Sequence, residues 1–260
     1  MNLIVRFKKI IAERQIIRGM VIKNLKSKYI GSISGILWAV INPLLIMLVI
    51  TFVFSQIMKT DIKHFPLLVL SALLPWNFFN NSINESAASI SSNVDVLRQF
   101  VMLKETIPIA TVITNLITFL FGFIIVLPVF IMFNTGIVNY LILLPFVVVL
   151  HFIFTLGISM LLSIINVYFK DLPQLLNIFL MLLFWLTPVF YSIDMIPQKY
   201  HWLIIANPSA CYIIIYRALL YQGFSGGISI WLLAIGFALI SIISGYFLFM
   251  KKESEILKYA

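Results

Sequence analysis

Long apolar runs alternate with short polar breaks from residue 36 to residue 250. A helix needs about 20 mostly apolar residues to cross the hydrocarbon core of a bilayer. Six runs reach that length: 36–58, 66–90, 107–133, 140–168, 172–191 and 228–250. The second is the least uniform, because it carries Asn77, Asn80, Asn81, Asn84 and Glu85. It is counted as a span because its neighbours need it to keep the topology consistent. Between 192 and 227 lie two shorter apolar runs, 202–206 and 212–221, parted by Asn207-Pro208. Neither is long enough to span. They are predicted as two short helices on the outer face, either re-entrant or lying flat at the interface.

The first 30 residues have a different pattern. Leu3, Phe7, Ile10, Ile17, Val21 and Leu25 fall on one side at helical spacing, and Lys8, Lys9, Glu13, Lys23 and Lys26 fall elsewhere. Arg14 and Arg18 interrupt the stripe. The segment reads as a cationic amphipathic helix at the cytoplasmic membrane surface. It is not a secretory signal: eight Lys/Arg precede the first apolar run, which is of spanning length and lacks a small-residue cleavage site.

Composition agrees with a membrane protein. Apolar residues make up 62% of the 260 positions and charged ones 10%, whereas a soluble domain is about a quarter charged. An ordinary soluble enzyme and a disordered chain are both excluded. Of the 18 Lys and Arg, 14 fall in the N-terminal segment, the 91–106 and 169–171 loops and the tail after 250. That asymmetry predicts cytoplasmic N and C termini. The expected fold is an all-α integral membrane protein of six transmembrane helices in one domain: 1–30 the interface helix, 36–250 the membrane bundle, 251–260 a cytoplasmic tail. Prolines within or at the ends of five spans bend helices but do not by themselves identify a function.

Catalytic chemistry is not visible. The chain has no phosphate-binding G-x-x-x-x-G-K-[ST] loop, no H-E-x-x-H and no Cys/His cluster with metal spacing. The single Cys211 cannot form an intrachain disulfide. His64, His151 and His201 belong to different segments, and His151 reads as a hydrogen-bonded packing residue. Glu85 is the only carboxylate inside a span, too thin a basis for ion-driven transport. If the chain transports, its energy is expected to come from another chain.

Three stretches resemble the membrane subunit of ABC-2 type exporters, in the polysaccharide and teichoic-acid export branch. The first runs from Lys28-Tyr29-Ile30-Gly31 through Ser32-Ile33-Ser34-Gly35-Ile36-Leu37-Trp38 to Asn42-Pro43, the junction of interface helix and first span. The second is Asn166-Val167-Tyr168-Phe169-Lys170-Asp171-Leu172 leading to Phe184-Trp185-Leu186-Thr187-Pro188-Val189-Phe190-Tyr191. The third comprises Ile196-Pro197, Asn207-Pro208 and Tyr216-Arg217. The resemblance spans essentially the whole chain in order. Lys170 stands where the family often has Arg, which keeps the charge but loses the planar fork; Ser34 stands where it often has Leu.

The resemblance implies a homodimer bound to two copies of a separate nucleotide-binding ATPase. ATP and Mg would sit on that partner, with no cofactor on this chain. It also implies export of a polyprenyl-linked glycan (O-antigen, capsule or teichoic acid) across the cytoplasmic membrane of a bacterium, among membrane lipids and without nucleic acid. On that frame Asp95, Arg98, Gln99, Phe100 and Lys104, with Lys170 and Asp171, are the candidate ATPase-coupling residues. Trp38, Trp76, Asn77, Phe78, Phe79, Asn80, Asn81, Asn84, Trp185 and Tyr191 are candidates for the transport path, because amides facing lipid would be costly. Arg18, Lys26 and Lys28 are candidates for recruiting an anionic lipid head group. Alternative readings are an ABC-2 exporter of a drug, peptide or lipid, an ion-coupled carrier or flippase using Glu85, and, last, a membrane enzyme.

Overall fold

The computed structural model describes residues 3–30, 35–59, 62–253 and 255–256. Among them every regular element is helical. Gly31 to Ser34 of the first motif, and the tail positions 254 and 257–260, lie outside the described residues.

The N-terminal segment forms two helices, α1 (Leu3–Ala12) and α2 (Arg14–Tyr29), where the sequence reads as one. Glu13 (φ −81°, ψ 12°) leaves the helical range between them. Its carboxylate is engaged elsewhere, accepting the backbone N–H of Leu103 at 3.0 and 3.2 Å. Val21 is the buried residue of the α2 stripe.

The first membrane helix, α3 (Trp38–Thr51), contains Pro43 and widens into a π-helical segment over Phe52–Ile57. Then follow α4 (Phe65–Ser89), a short α5 (Val94–Gln99), α6 (Thr106–Phe133) and α7 (Leu144–Tyr168), the last preceded by a 3-10 stretch over Thr135–Leu143. After α8 (Leu172–Leu186) come α9 (His201–Ile205), α10 (Pro208–Arg217) and α11 (Ile228–Lys252).

Among the described residues, four segments are long and apolar enough to cross a membrane: Gly35–Ile57, Thr106–Phe133, Thr135–Tyr168 and Ile228–Lys252. The runs expected at 66–90 and 172–191 miss that standard for different reasons. α4 has 25 residues, or roughly 37 Å at 1.5 Å per residue, so length is not its defect. Its amides and serines lower its apolarity, and it tolerates them because it is the central helix. It packs against α3, α6, α7, α8 and α10, which bury its serines and partly cover Asn77, Asn80 and Asn84, while Asn81 stays exposed. α8 is apolar but has only 15 residues. It stops because Thr187 precedes a proline, which forces extended backbone (φ −93°, ψ 133°).

The stretch before α11 is bent by 102° between Gln198–Ile205 and Pro208–Gln222. Asn207 makes the corner. Its Oδ1 accepts the N–H of Ser209 at 3.1 Å and its Nδ2 donates to Thr187 Oγ1 at 2.9 Å, while Pro208 supplies a first helical residue needing no N–H partner. α10 then drives Tyr212 and Tyr216, both fully buried, into the core against α4 and α11.

Candidate functional site

Helical spacing divides the amides of α4 between two clefts. Asn81 and Glu85 lie four residues apart on one stripe, and Asn80 and Asn84 on the neighbouring one. Asn77 borders both clefts.

The first cleft, about 290 Å³, lies among α2, α3, α4 and α6. Trp38, Asn42, Phe78, Asn81 and Thr118 contribute to its wall. At its edge three side chains close a ring. Lys28 Nζ pairs with Glu85 Oε1 at 2.7 Å and donates to Asn115 Oδ1 at 2.8 Å, while Asn115 Nδ2 donates to Glu85 Oε2 at 2.9 Å. All three head-group candidates are exposed on α2, but Lys28 is neutralised by a partner on α4, whereas Arg18 and Lys26 have no ion-pair partner among the described residues. The three are not equivalent.

The second cleft, about 500 Å³, opens among α3, α4 and α8. It combines Asn77, Asn80, Asn84 and Asn177 with Trp76, Phe184, Trp185 and Phe190. The rings form a continuous series: Trp76–Phe184 at 5.5 Å, Phe184–Phe190 at 5.7 Å and Trp185–Phe190 at 5.1 Å between centroids. Asn84 Nδ2 reaches Asn80 Oδ1 at 3.4 Å, leaving the Asn84 carbonyl oxygen without a partner among the described residues. A surface of rings and amides offers apolar faces and hydrogen-bonding edges to one ligand.

The other predicted path residues sit differently. Phe79 is core, packed on Phe154 and His151. Tyr191 borders neither cleft; its hydroxyl donates to the Trp185 carbonyl at 3.1 Å. His151 is enclosed by Phe78, Phe79, Tyr212 and Tyr216, and neither ring nitrogen has a hydrogen-bond partner among the described residues. It packs, but without the bond expected of it.

At the end of the bundle that holds α5, Asp95, Arg98, Gln99 and Phe100 are exposed on and just beyond that helix, as are Lys170 and Asp171 in the α7–α8 turn. Leu97 anchors α5 in a small apolar cluster with Ile90, Ile107, Ile164 and Phe249. The Asn166 amide donates to Ser91 Oγ at 3.2 Å, which ties α7 to the turn between α4 and α5. Lys104 is turned away from this surface. Its ammonium donates to the Glu253 backbone carbonyl at 2.5 Å, and burial pushes its pKa down.

Sequence reasoning missed several polar anchors. Asn115 is a lone amide in its apolar run and Asn177 shares its run only with Gln174, a signal that was available. Arg217 is buried at the end of α10. Its guanidinium donates to the carbonyls of Pro188 (2.5 Å), Val189 (3.0 Å) and Tyr191 (2.8 Å), holding the chain where α8 ends. Arg6 is buried against Glu105 and Glu253, contacts distant in sequence that no local pattern announces. Among the described residues, no three His, Cys, Asp or Glu are grouped to hold a metal ion.

Comparison with known proteins places this architecture. Residues 16–221 match the family described as ABC-2 type transporter. The chain is 33% identical over 202 residues to the O-antigen export system permease protein RfbA of Klebsiella pneumoniae, covering 77% of this chain and 78% of that one. It is 31% identical over 211 residues to the RfbA protein of Myxococcus xanthus, covering 80% and 81%. Similarity to the polysialic acid transport protein KpsM of Escherichia coli is 23% over 250 residues, covering 93% and 95%.

Proposed function

Because the chain belongs to the ABC-2 type transporter family, we propose that it is the membrane permease of an ATP-driven exporter of a lipid-linked polysaccharide. The relatives named for O-antigen and polysialic acid export support that substrate class. The observation that carries the reading is the cleft of about 500 Å³ among α3, α4 and α8. Sugars present hydroxyls around an apolar ring face, and the cleft pairs amides with aromatic rings.

In this reading the chain crosses the membrane six times, with α4 covered by its neighbouring helices and α8 at the edge where a second copy sits. Both termini lie in the cytoplasm of a bacterium, and α9 and α10 enter and leave on the outer face. Two copies pair across the α3–α8 face, so the clefts meet along one path. Two ATPase subunits bind the exposed α5 surface through Asp95, Arg98, Gln99 and Phe100, with Lys170 and Asp171 beside it. ATP and Mg belong to those subunits. Arg18 and Lys26 meet the anionic head group of the carrier lipid, and Lys28 joins them only by leaving Glu85.

Export in cells, followed by surface detection of the glycan, tests the reading. Trp76→Ala with Asn80→Leu is expected to reduce surface glycan on the order of tenfold, with the chain still in the membrane at native level. Native export by that variant overturns the assignment of the cleft.

A further inference from the structure

Arg6 sits where three distant parts of the chain meet. Its Nε lies 2.6 Å from Glu105 Oε1 and its Nη2 2.8 Å from Glu105 Oε2, a bidentate pair. Nη2 also lies 2.5 Å from Glu253 Oε2. Glu105 is fully buried, and Arg6 is 4% exposed. The hydrogen bonds to Glu105 hold the guanidinium's pKa above its ordinary value. Lys104 adds a second tie, from the same loop to the end of α11, through the Glu253 carbonyl. Glu13, at the break between α1 and α2, holds the N–H of Leu103.

These contacts converge on a short segment. Val101 is fully exposed, and Glu105, four residues later, has no exposed surface. The segment therefore runs from the tip beside Phe100 to a buried root just before α6. At that root two carboxylates face two cations. A buried pair of this kind adds little net stability, but removing one partner strands the other's charge. Such an arrangement fixes geometry more than it adds free energy.

The geometry points to Arg6 as a positioning residue for energy coupling: it clamps α1 and the end of α11 to the root of the α5 loop. Motion imposed on α5 is then delivered to both ends of the chain as well as to α6. A loop joined only to α6 would flex against its own turn. A loop held by Glu13, Arg6 and Glu253 moves with α1 and α11 as one body. This rests on the reading of α5 as the ATPase contact.

Two measurements test it. The first uses the permease alone in nanodiscs, with spin labels at the exposed Lys8 and Ser92 in a Cys211→Ser background. The native pair is expected to give one narrow distance distribution and Arg6→Gln a broad one. The second uses the permease with its ATPase subunit and reads glycan exported per ATP hydrolysed. Arg6→Gln is expected to lower that ratio on the order of tenfold, while ATPase binding is retained. Arg6→Lys keeps the charge without the fork and is expected to fall between. Arg6→Met keeps the bulk and is expected to match Arg6→Gln.

If Arg6→Gln prevents insertion, Glu253→Gln, which leaves the Arg6–Glu105 pair intact, is read in its place with the same expectation of a broadened distance and a lowered ratio. A narrow distribution and native ratio in the variant that inserts overturn the proposal. So does an Arg6→Met chain that performs as well as Arg6→Lys. Failure of the native permease to bind any ATPase subunit would instead defeat the reading of α5.

Discussion

Between α7 and α11 the two backbones touch. A Cβ on Gly245 would overlap the Gly157 carbonyl, and one on Gly157 would overlap the backbone at Ser241 and Ile242. Across the molecule, α3 with its π-helical extension and α8 turn Leu45, Leu48, Phe52, Ile178, Phe179, Leu182 and Trp185 outward. Both regions are apolar, so hydrophobicity does not distinguish them. Side-chain size does. Lipid is as apolar as leucine, so membrane helices gain by close approach, which needs small residues. Gly157, Ser241 and Gly245 permit that approach. The large side chains of α3 and α8 hold a surface open instead. One seam serves as a fixed strut, and the opposite face is the one that the proposed function gives to a path and a second copy.

The largest effect is expected from forcing the strut apart. Gly245→Leu must separate α7 from α11 and is expected to cost about 3 kcal/mol or more. A thermal melt of the purified chain reads this, and an unchanged midpoint would show that the close approach is not structural. Arg217→Met comes next. It strands the carbonyls of Pro188, Val189 and Tyr191 and is expected to cost about 2 kcal/mol. Accelerated proteolysis after α8 would register it; native resistance would mean those carbonyls find other donors. Phe179→Ser, on the open face, should leave the subunit's melt within about 0.5 kcal/mol of native yet weaken self-association. A variant that melts early but pairs normally would reverse the roles given to the two regions. The smallest effect is expected from Ile240→Val, on the exposed side of α11, within about 0.5 kcal/mol. A larger loss there would mean that this side also packs against protein.

The sequence made the struts visible more readily than the working face. The runs at 107–133 and 228–250 became α6 and α11 almost residue for residue, because uninterrupted apolar stretches leave the backbone no alternative in lipid. α4 was harder. Its polar stripe is tolerable only because neighbouring helices cover it, and coverage is a tertiary fact. α8 was overextended to 191, although Thr187-Pro188 carried the stop signal. The candidate path residues were legible as chemistry, but not as two stripes. Spacing separates Asn81 from Asn80 and Asn84, yet only packing shows which neighbours each stripe meets. Lys28 and Lys104 read as free cations until their partners came from 57 and 149 residues away. Charge counting locates a face of the membrane but does not pair ions.

The Arg217 clamp also bears on the order in which the chain is made. Its acceptors, the carbonyls of Pro188 to Tyr191, precede it by 26 to 29 residues. A chain synthesised from its N terminus has therefore already presented those carbonyls when the guanidinium emerges. The cation arrives at a prepared berth and need not wait in hydrocarbon for one. Were the acceptors encoded after it, the same contact would require a bare charge to be stored at the membrane during synthesis.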